Sequence, residues 1–247
     1  MTSLVFLHGL GGGHHAWDAQ LPCFAARGYG AHASDQPGYG HSAIVEPYDL
    51  EQISLALKRL VESLDDGQVV LVGHSMGGFV AQETYARFPE IVKGLVLGFT
   101  SAAFGGGDAE FVRKFVAARI EPLDAGKTMQ DIAAQLVPTM RGSRSDPAGL
   151  GSAERIMGGI PPATYRKAVQ LLTTFDRKGD LEKIRVPTLL IAGAEDRTAP
   201  APTMERMAQK IAGSDFKVLE GCGHLGPMLQ PEEFNRTLLD FLRRRGL

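Results

Sequence analysis

A chain of 247 residues is long enough to fold as one α/β domain, alone or with a smaller inserted unit. Hydrophobic residues make up 44% of the chain and charged residues 22%, which fits a globular protein and excludes the disordered and fibrous classes. The formal net charge of −2 gives no electrostatic reason to expect nucleic acid or an anionic membrane as a partner.

The cysteines and the N-terminus bear on the cellular compartment. Cys23 and Cys222 are the only cysteines, and because no metal-ligand spacing surrounds either, we expect free thiols and no metal site. The N-terminus lacks the basic start and long apolar stretch of a signal peptide. No apolar run approaches the roughly 20 residues of a membrane span. These features predict a cytoplasmic protein.

The N-terminal part of the chain alternates predicted strands and helices. Apolar runs predict strands at 3–8, 30–34, 69–72 and 92–99, and helical spacing predicts helices at about 16–26, 49–64 and 78–88. Short, fully apolar strands are typical of a parallel sheet that is buried on both faces. The alternation of strand and helix implies right-handed crossovers in such a sheet.

Between residues 101 and 185 this alternation stops. No convincing strand pattern occurs there, and helices are predicted near 109–120, 128–140, 153–157 and 162–175. About 80 helical residues are too many for a loop and have too small a core for an independent domain. We expect them to form a cap, inserted into a core made of residues 1–100 and 186–247.

The strand pattern resumes in the C-terminal part of the chain. Strands are predicted at 186–192 and 216–219, with one helix that ends near 211 and a last helix at about 231–245. The whole pattern predicts an α/β fold. Its mostly parallel sheet has about six strands, helices cover both faces, and the helical cap lies over the carboxyl edge.

The segment 69–78, VVLVGHSMGG, predicts a strand, a sharp turn and a helix. Its residues 73–77 match G-x-S-x-G, in which the glycines leave room for a strained serine at the apex, here Ser75. The Ser75 hydroxyl would then lie above the carboxyl edge of the sheet. A serine between glycines can also be only a helix N-cap. A nucleophile therefore requires an acid and a histidine later in the chain, and an oxyanion loop earlier.

Later segments supply the acid and the histidine in the expected order. Asp196 follows the predicted strand 186–192, and His224 follows the strand 216–219, so both side chains reach the edge where Ser75 lies. A serine hydroxyl needs a base within hydrogen-bond reach, and the base needs an acid that orients it. Glu195 competes with Asp196 for the role of the acid, and we prefer the shorter aspartate. An ordinary loop histidine is the alternative for His224.

An oxyanion formed during acyl transfer requires backbone N–H donors. We expect one from Met76, at the start of a helix, and the other from Leu10, in the glycine-rich loop after the first strand. That loop fits neither a dinucleotide-binding nor a P-loop pattern, so no cofactor is predicted. Four neighbouring side chains are interpreted as structural or pocket-rim groups: His14, His15, Trp17 and His74.

Taken in order, these segments resemble the α/β-hydrolase superfamily over essentially the whole chain. The resemblance is carried by HGLGG at 8–12, DQPGYGHS at 35–42, GHSMGG at 73–78, AGAEDRTAP at 192–200 and GCGHLGPMLQPEEF at 221–234. The chain is most similar to small capped bacterial enzymes, which include 3-oxoadipate enol-lactone hydrolases, carboxylesterases and cofactor-free haloperoxidases or perhydrolases. The resemblance implies an ester or lactone of a modest-sized acid as the substrate.

Two departures from the usual pattern of that superfamily are visible. The chain starts at the strand that leads to HG, where the superfamily usually has an antiparallel hairpin first, so six strands are expected rather than eight. After His224, the segment 225–227 reads Leu-Gly-Pro in place of a more polar sequence.

The leading interpretation is a serine hydrolase that cleaves a small carboxylic ester or lactone through an acyl-enzyme. Alternatives on the same three residues are C–C bond hydrolysis, lyase chemistry and a cofactor-free perhydrolase, and the non-enzymatic alternative is a ligand receptor. Substrate-binding residues are not assigned. Three methionines could line the pocket or fill the core: Met129, Met140 and Met157. Three arginines could bind a substrate carboxylate or face solvent: Arg141, Arg144 and Arg155.

Overall fold

The computed structural model describes residues 1–64 and 66–247. Six strands form one sheet in the order β2-β1-β3-β4-β5-β6, and every pairing is parallel. The strands are β1 (Ser3–Leu7), β2 (Gly30–Ala33), β3 (Val69–His74), β4 (Val92–Gly98), β5 (Thr188–Gly193) and β6 (Asp215–Leu219). The predicted sheet of six strands is confirmed. β5 begins two residues later than predicted, after Pro187, whose nitrogen cannot donate to the ladder.

Helices cover both faces of the sheet. In the described residues they are α1 (Leu21–Ala25), α2 (Leu50–Glu62), α3 (Met76–Arg87), α4 (Ala109–Asp124), α5 (Met129–Leu136), α6 (Pro147–Gly158), α7 (Pro162–Leu172), α8 (Ala201–Lys210), α9 (Gly226–Leu229) and α10 (Pro231–Arg245). Apolar side chains of α2, α3 and α8 share a core cluster with one face, while those of α1 and α10 pack on the other.

The alternation of side chains along a strand explains why the central strand β1 is apolar at four successive positions. On β1, Val5 and Leu7 belong to the cluster under α2 and α3, whereas Leu4 and Phe6 belong to the cluster under α1 and α10. Successive side chains of a strand point to opposite faces, so a sheet covered on both sides needs an apolar residue at every position.

One predicted helix is wrong as a continuous element. In place of a helix over 16–26, the chain forms a 3₁₀ turn at His14–Trp17 and the short helix α1. Pro22 lies in the first turn of α1. Proline lacks an N–H, and its ring clashes with the carbonyl four residues earlier, so a helix cannot run through this position unbroken.

The segment 101–185 contains α4 to α7, and its apolar side chains join the same core cluster as β1, β3 and β4. The predicted helix 128–140 is split, because Pro138 starts a 3₁₀ turn at Val137–Met140 after α5 ends. α6 is longer than predicted, since Asp146 caps its N-terminus by accepting the Ala148 N–H over 3.0 Å. The division into a core and a cap stays a prediction.

Among the described residues, no helix combines the length and the hydrophobicity that a membrane crossing requires.

Candidate active site

Ser75 is the single residue between β3 and α3, and its backbone is strained. Its φ of 53° and ψ of −117° lie in a region that non-glycine residues rarely occupy. The turn needs glycines on both sides of the serine. A Cβ atom on Gly77 would lie 2.1 Å from the Leu7 carbonyl oxygen, and one on Gly73 would lie 2.4 Å from the Gly77 carbonyl oxygen. The sequence pattern around Ser75 therefore reflects this tight turn.

Three side chains at the carboxyl edge of the sheet form a hydrogen-bonded series. Ser75 Oγ lies 3.0 Å from His224 Nε2, and His224 Nδ1 lies 2.8 Å from Asp196 Oδ2. Asp196 is in the loop after β5 and His224 is in the loop after β6. The structure thus brings together the three residues that the sequence analysis selected as nucleophile, base and acid.

Asp196 is held as a carboxylate. Its Oδ1 accepts the N–H groups of Thr198, over 2.7 Å, and of Ala199, over 3.0 Å, and its Oδ2 faces His224. Burial by itself would raise the pKa of Asp196, but the His224 imidazole and the hydrogen-bond donors outweigh burial and lower the pKa. Since the carboxylate can only accept, His224 Nδ1 carries a hydrogen, and His224 Nε2 is free to accept the Ser75 hydroxyl hydrogen.

Glu195, the competing acid, is bound elsewhere. Its carboxylate accepts the Ser143 N–H over 2.8 Å and the Ser143 hydroxyl over 2.5 Å, on the surface of the protein. These hydrogen bonds, led by the one from the Ser143 side chain, lower the pKa of Glu195. The acid beside the histidine is Asp196.

The loop that carries His224 is fixed at its backbone. The His224 N–H donates to the Met140 carbonyl oxygen over 2.9 Å, and the His224 carbonyl oxygen accepts from His74 Nε2 over 2.8 Å. Burial, reinforced by the charge of His224, lowers the pKa of His74 to about 3, so this imidazole is neutral. The Leu-Gly-Pro segment that follows His224 enters the one-turn helix α9, which the sequence analysis did not predict.

The glycine-rich loop after β1 is held by a buried histidine. His8 Nδ1 donates to the Gly9 carbonyl oxygen over 2.8 Å, and His8 Nε2 accepts the Gln36 N–H over 3.0 Å. Burial lowers the pKa of His8 to about 4, which keeps the imidazole neutral and both bonds in place. The loop therefore has a fixed position beside the serine turn.

The two predicted oxyanion donors lie on either side of this region. Met76 is the first residue of α3, and Leu10 lies in the loop, where its carbonyl oxygen accepts the Tyr39 hydroxyl over 3.0 Å. Neither the Met76 N–H nor the Leu10 N–H has a hydrogen-bond partner within the described part of the chain. Both N–H groups are therefore available to a ligand.

A cavity of about 150 Å³ opens at the Ser75 hydroxyl and the His224 imidazole. Leu10 and Trp17 line it from the sheet side, and the segment 101–185 supplies much of the remaining wall. That wall includes Phe104, Phe111, Phe115, Arg119, Met140 and Met157. A small, largely apolar cavity with a few polar groups at one point is typical of a site for a small molecule.

The fold and this geometry were compared with known proteins. The family model described as the alpha/beta hydrolase family matches residues 4–237. The chain belongs to the alpha/beta hydrolase family. Membership confirms the resemblance drawn from the sequence motifs and the predicted fold class, and it supports hydrolase activity.

Relatives cover nearly the whole of this α/β-hydrolase at low identity. RutD of Pseudomonas syringae pv. syringae (strain B728a), a candidate carbamate hydrolase, is 28% identical over 245 residues, which are 97% of this chain and 93% of that protein. The 3-oxoadipate enol-lactonase 2 of Acinetobacter baylyi is 26% identical over 248 residues, 98% of this chain and 89% of that protein. A solved thermophilic esterase from Thermogutta terrifontis has a TM-score of 0.88 at 26% identity, covering 99% of this chain and 90% of that one.

Most of the unassigned side chains of this α/β-hydrolase lie outside the cavity. The three candidate arginines are exposed: Arg141, Arg144 and Arg155. Met129 is buried in the core away from the cavity, whereas Met140 and Met157 line the cavity wall. His14 pairs with Asp35 and His15 pairs with Asp18, at the edge of a separate surface pocket. In the described residues, no group of three or more His, Cys, Asp and Glu could hold a metal ion.

Trp17 and Arg119 line the cavity, although the sequence analysis did not place either of them there. Trp17 was expected to pack against the loop, and its ring does lie 5.0 Å from that of Phe6, but it also lines the cavity. Arg119, in the middle of α4, was not considered, because an arginine in an amphipathic helix normally faces solvent. Its position in the cavity follows only from the packing of α4.

Proposed function

We propose that this α/β-hydrolase is a serine hydrolase of small carboxylic esters or lactones. The observation that carries the proposal is the series from Ser75 to His224 to Asp196, with distances of 3.0 and 2.8 Å, at the mouth of an apolar cavity. The strained backbone at Ser75 supports the same role, since strain of this kind concentrates at functional positions.

In the first half of the reaction, Ser75 Oγ attacks the carbonyl carbon of the substrate while His224 Nε2 takes the hydroxyl proton. Asp196 stabilises the imidazolium that forms. The tetrahedral intermediate then collapses, the bond to the alkoxide breaks, and His224 gives the proton to that leaving oxygen. The acyl group is left on Ser75 as an ester.

In the second half, a water molecule takes the place of the alcohol. His224 removes one proton from the water as its oxygen attacks the acyl-enzyme, and the same proton passes to Ser75 Oγ when the acid leaves. In both halves of the reaction, the negative oxygen of the tetrahedral intermediate accepts hydrogen bonds from the backbone N–H groups of Met76 and Leu10. Donors aimed at a developing oxyanion each contribute about 3 to 4 kcal/mol in comparable sites.

We further propose that the segment 101–185 is a cap that selects the substrate. It supplies aromatic and aliphatic wall residues, and through Met140 it also holds the backbone of His224. An apolar cavity of about 150 Å³ can admit a benzene molecule. The acyl part of the substrate should therefore be no larger than about one six-membered ring with a short substituent. A carbamate, the substrate class in the name of RutD, would react through the same acyl transfer.

The test is hydrolysis of a panel of methyl esters, lactones and phenyl carbamates by the wild type and by Ser75→Ala. The variant should lose at least about 10⁴-fold in kcat, because the attacking oxygen is gone. Ser63→Ala removes an exposed hydroxyl whose single bond within the described residues is to the Leu60 carbonyl oxygen, so it is the matched control and should keep full activity.

The alternatives on the same residues are separated by trapping the acyl-enzyme. An organophosphate ester should modify Ser75 and leave Ser75→Ala unmodified, as read by mass spectrometry of the peptides. Turnover that survives in Ser75→Ala would overturn the acyl-enzyme and favour C–C cleavage or lyase chemistry with His224 as acid and base. Tight binding without turnover of any substrate would favour a receptor.

A cytoplasmic location is part of the same proposal. Both cysteines are free thiols, Cys222 buried and Cys23 half-buried, which is the usage typical of a reducing compartment. Detection of the protein in the membrane or secreted fraction of its native cells would contradict this.

A further inference from the structure

Arg119 places a positive charge in the wall of the cavity that contains Ser75. Within the described part of the chain, no carboxylate lies within 4.0 Å of its guanidinium group. The other arginine of α4, Arg113, is exposed and forms an ion pair with Glu110 over 2.7 Å. One helix thus carries one arginine that is paired on the surface and one that lines the cavity without a counter-ion.

The protein uses little of the hydrogen-bonding capacity of Arg119. The guanidinium group has five N–H donors, and one contact, from Nη1 to the Phe115 carbonyl oxygen, is a long 3.3 Å. The Nε atom is buried without a partner among the described residues. The guanidinium carbon lies 3.4 Å from the centroid of the Phe115 ring. Stacking of this kind uses the face of the group and leaves the N–H donors, which lie in its plane, available to a ligand.

Leaving such a charge unpaired carries a cost. Burial lowers the pKa of Arg119, and the phenol of Tyr165 only partly opposes this effect, yet an arginine stays protonated in any protein at neutral pH. The Tyr165 hydroxyl is also buried without a partner among the described residues, and burial raises its pKa, so it remains a donor. Arg119 is half-buried with its Nε atom enclosed, and charges that are partly removed from water are normally paired because that removal is unfavourable. The partner that is missing here is an anion.

We propose that Arg119 binds a carboxylate on the acyl part of the substrate, so that the preferred substrates are half esters or lactones of small dicarboxylic acids. The inference rests on the proposed hydrolase function and narrows it to a substrate class. The planar guanidinium fork matches a carboxylate in two parallel hydrogen bonds. The acyl part carries this charge because it stays in the cavity, bonded to Ser75, after the alcohol has left.

The kinetic test compares monomethyl glutarate with methyl pentanoate, two esters of the same acyl length of which only the first has a carboxylate. Wild-type kcat/KM should be at least about 10-fold higher for monomethyl glutarate, since hydrogen bonds between charged groups add that much or more. In Arg119→Gln, the preference for monomethyl glutarate over methyl pentanoate, expressed as the ratio of the two kcat/KM values, should fall by about 10- to 100-fold.

Two further variants act as controls. Arg119→Lys keeps the charge but loses the planar fork, so it should retain an intermediate preference for monomethyl glutarate. Arg113→Gln removes a positive charge from the exposed face of the same helix and should leave both esters unaffected. A similar loss in Arg113→Gln would mean that the general field of the helix, and not the cavity arginine, selects the substrate.

Binding can be measured without turnover. Calorimetry with Ser75→Ala should detect glutarate, and the double variant Ser75→Ala with Arg119→Gln should bind it at least about 10-fold more weakly. Tighter binding of inorganic phosphate than of glutarate would overturn the assignment to a carboxylate.

The two proposals fail in different ways. If Ser75→Ala keeps its turnover, the serine hydrolase is wrong, whereas glutarate binding still tests Arg119. If the wild type hydrolyses both esters equally well, and Arg119→Gln changes neither or both alike, the carboxylate site is wrong and the serine hydrolase stands.

Discussion

The imidazole of His74 donates from Nε2 to the carbonyl oxygen of His224 over 2.8 Å, although the two residues are 150 positions apart in the chain. His74 is the last residue of β3, immediately before Ser75. The bond therefore connects the serine turn directly to the loop that carries the proposed base. The imidazole of His224, carried by that loop, has its Nε2 3.0 Å from Ser75 Oγ.

Replacing His74 by phenylalanine should lower kcat by about 10- to 100-fold with less than about 3-fold change in KM. The donor to the His224 carbonyl is lost, so His224 moves relative to Ser75, whereas the phenylalanine ring fills the place of the imidazole in the cavity wall. His74→Gln, whose amide can donate to the same carbonyl, should recover part of the loss. Equal kcat values in the two variants would show that the hydrogen bond does not position His224.

The acids Asp196 and Glu195 are neighbours in sequence and should behave very differently when neutralised. Asp196→Asn should lower kcat by about 10⁴-fold, because an amide favours the wrong tautomer of His224 and no longer stabilises the imidazolium. Glu195→Gln should retain activity close to that of the wild type, since Glu195 bonds to Ser143 on the surface. Steady-state kinetics on one ester would check both, and the reverse ranking would transfer the acid role to Glu195.

The stability of the protein should fall as the pH drops below about 6.5, before most carboxylates titrate. Burial lowers the pKa of His8 to about 4 and that of His74 to about 3, both from the ordinary value of 6.5. Below 6.5 the unfolded chain therefore binds protons that the folded chain does not. Each histidine should lower the free energy of unfolding by up to about 1.4 kcal/mol per pH unit until its folded pKa is reached.

Urea unfolding at about pH 7, pH 6 and pH 5 measures this slope. The carboxylates of Glu83 and Asp196 also have lowered pKa values, but their contributions are lost only below the ordinary values of 4.5 and 3.8. The change in the free energy of unfolding above pH 5 therefore reflects the protonation of the histidines. In His74→Gln the slope should decrease by the equivalent of one proton, and an unchanged slope would mean that His74 does not titrate between the two states.

Glu83 should be one of the most sensitive charged residues for stability. The buried carboxylate, on α3, receives two hydrogen bonds from Arg177, over 2.6 and 2.7 Å, and one from Arg87 over 2.6 Å. Glu83→Gln removes the buried carboxylate and leaves Arg87 with only the exposed Glu51, and Arg177 with only Asp180, so it should lower the free energy of unfolding by about 2 to 4 kcal/mol. Glu110→Gln breaks two exposed pairs, with Arg113 and with Lys114, and should be indistinguishable from the wild type in urea unfolding.

If Glu83→Gln is as stable as the wild type, Glu51, Asp180 and solvent must be sufficient to stabilise the two guanidinium groups. That outcome would also remove the bond between α3 and the end of the segment 101–185 as an anchor of the helices above Ser75.

The fold could be predicted to the level of individual strands, because strand and helix patterns depend on residues that are close in sequence. All six strands lie where the sequence predicted a strand, and the observed shifts of their ends are small, as at Pro187. The broken helix at Pro22 shows the limit: apolar spacing alone favoured one helix over 16–26, while a single proline ring decided where it starts. α9 is one turn long, too short for any periodic signal.

The candidate site was only partly accessible from the sequence. The order of Ser75, Asp196 and His224, and their places after β3, β5 and β6, predicted that they lie at one edge, and the structure places them within hydrogen-bond distance. Their catalytic roles stay predictions that the variants above would test. The link from His74 to His224 carried no signal in the chain, since nothing in either segment specifies the other.

By itself, the sequence determined the α/β architecture, the strained serine turn and the residue types at the sheet edge, because each depends on local backbone rules and on apolar patterning. Only the tertiary structure decided which acid faces His224, which side chains close the cavity, and that Arg119 lines it with no carboxylate beside it in the part of the chain that the structure describes. These features join segments that are distant in the chain. They arise from the way α4 to α7 pack above β3 and β4, and packing depends on the shapes of all the contacting side chains together.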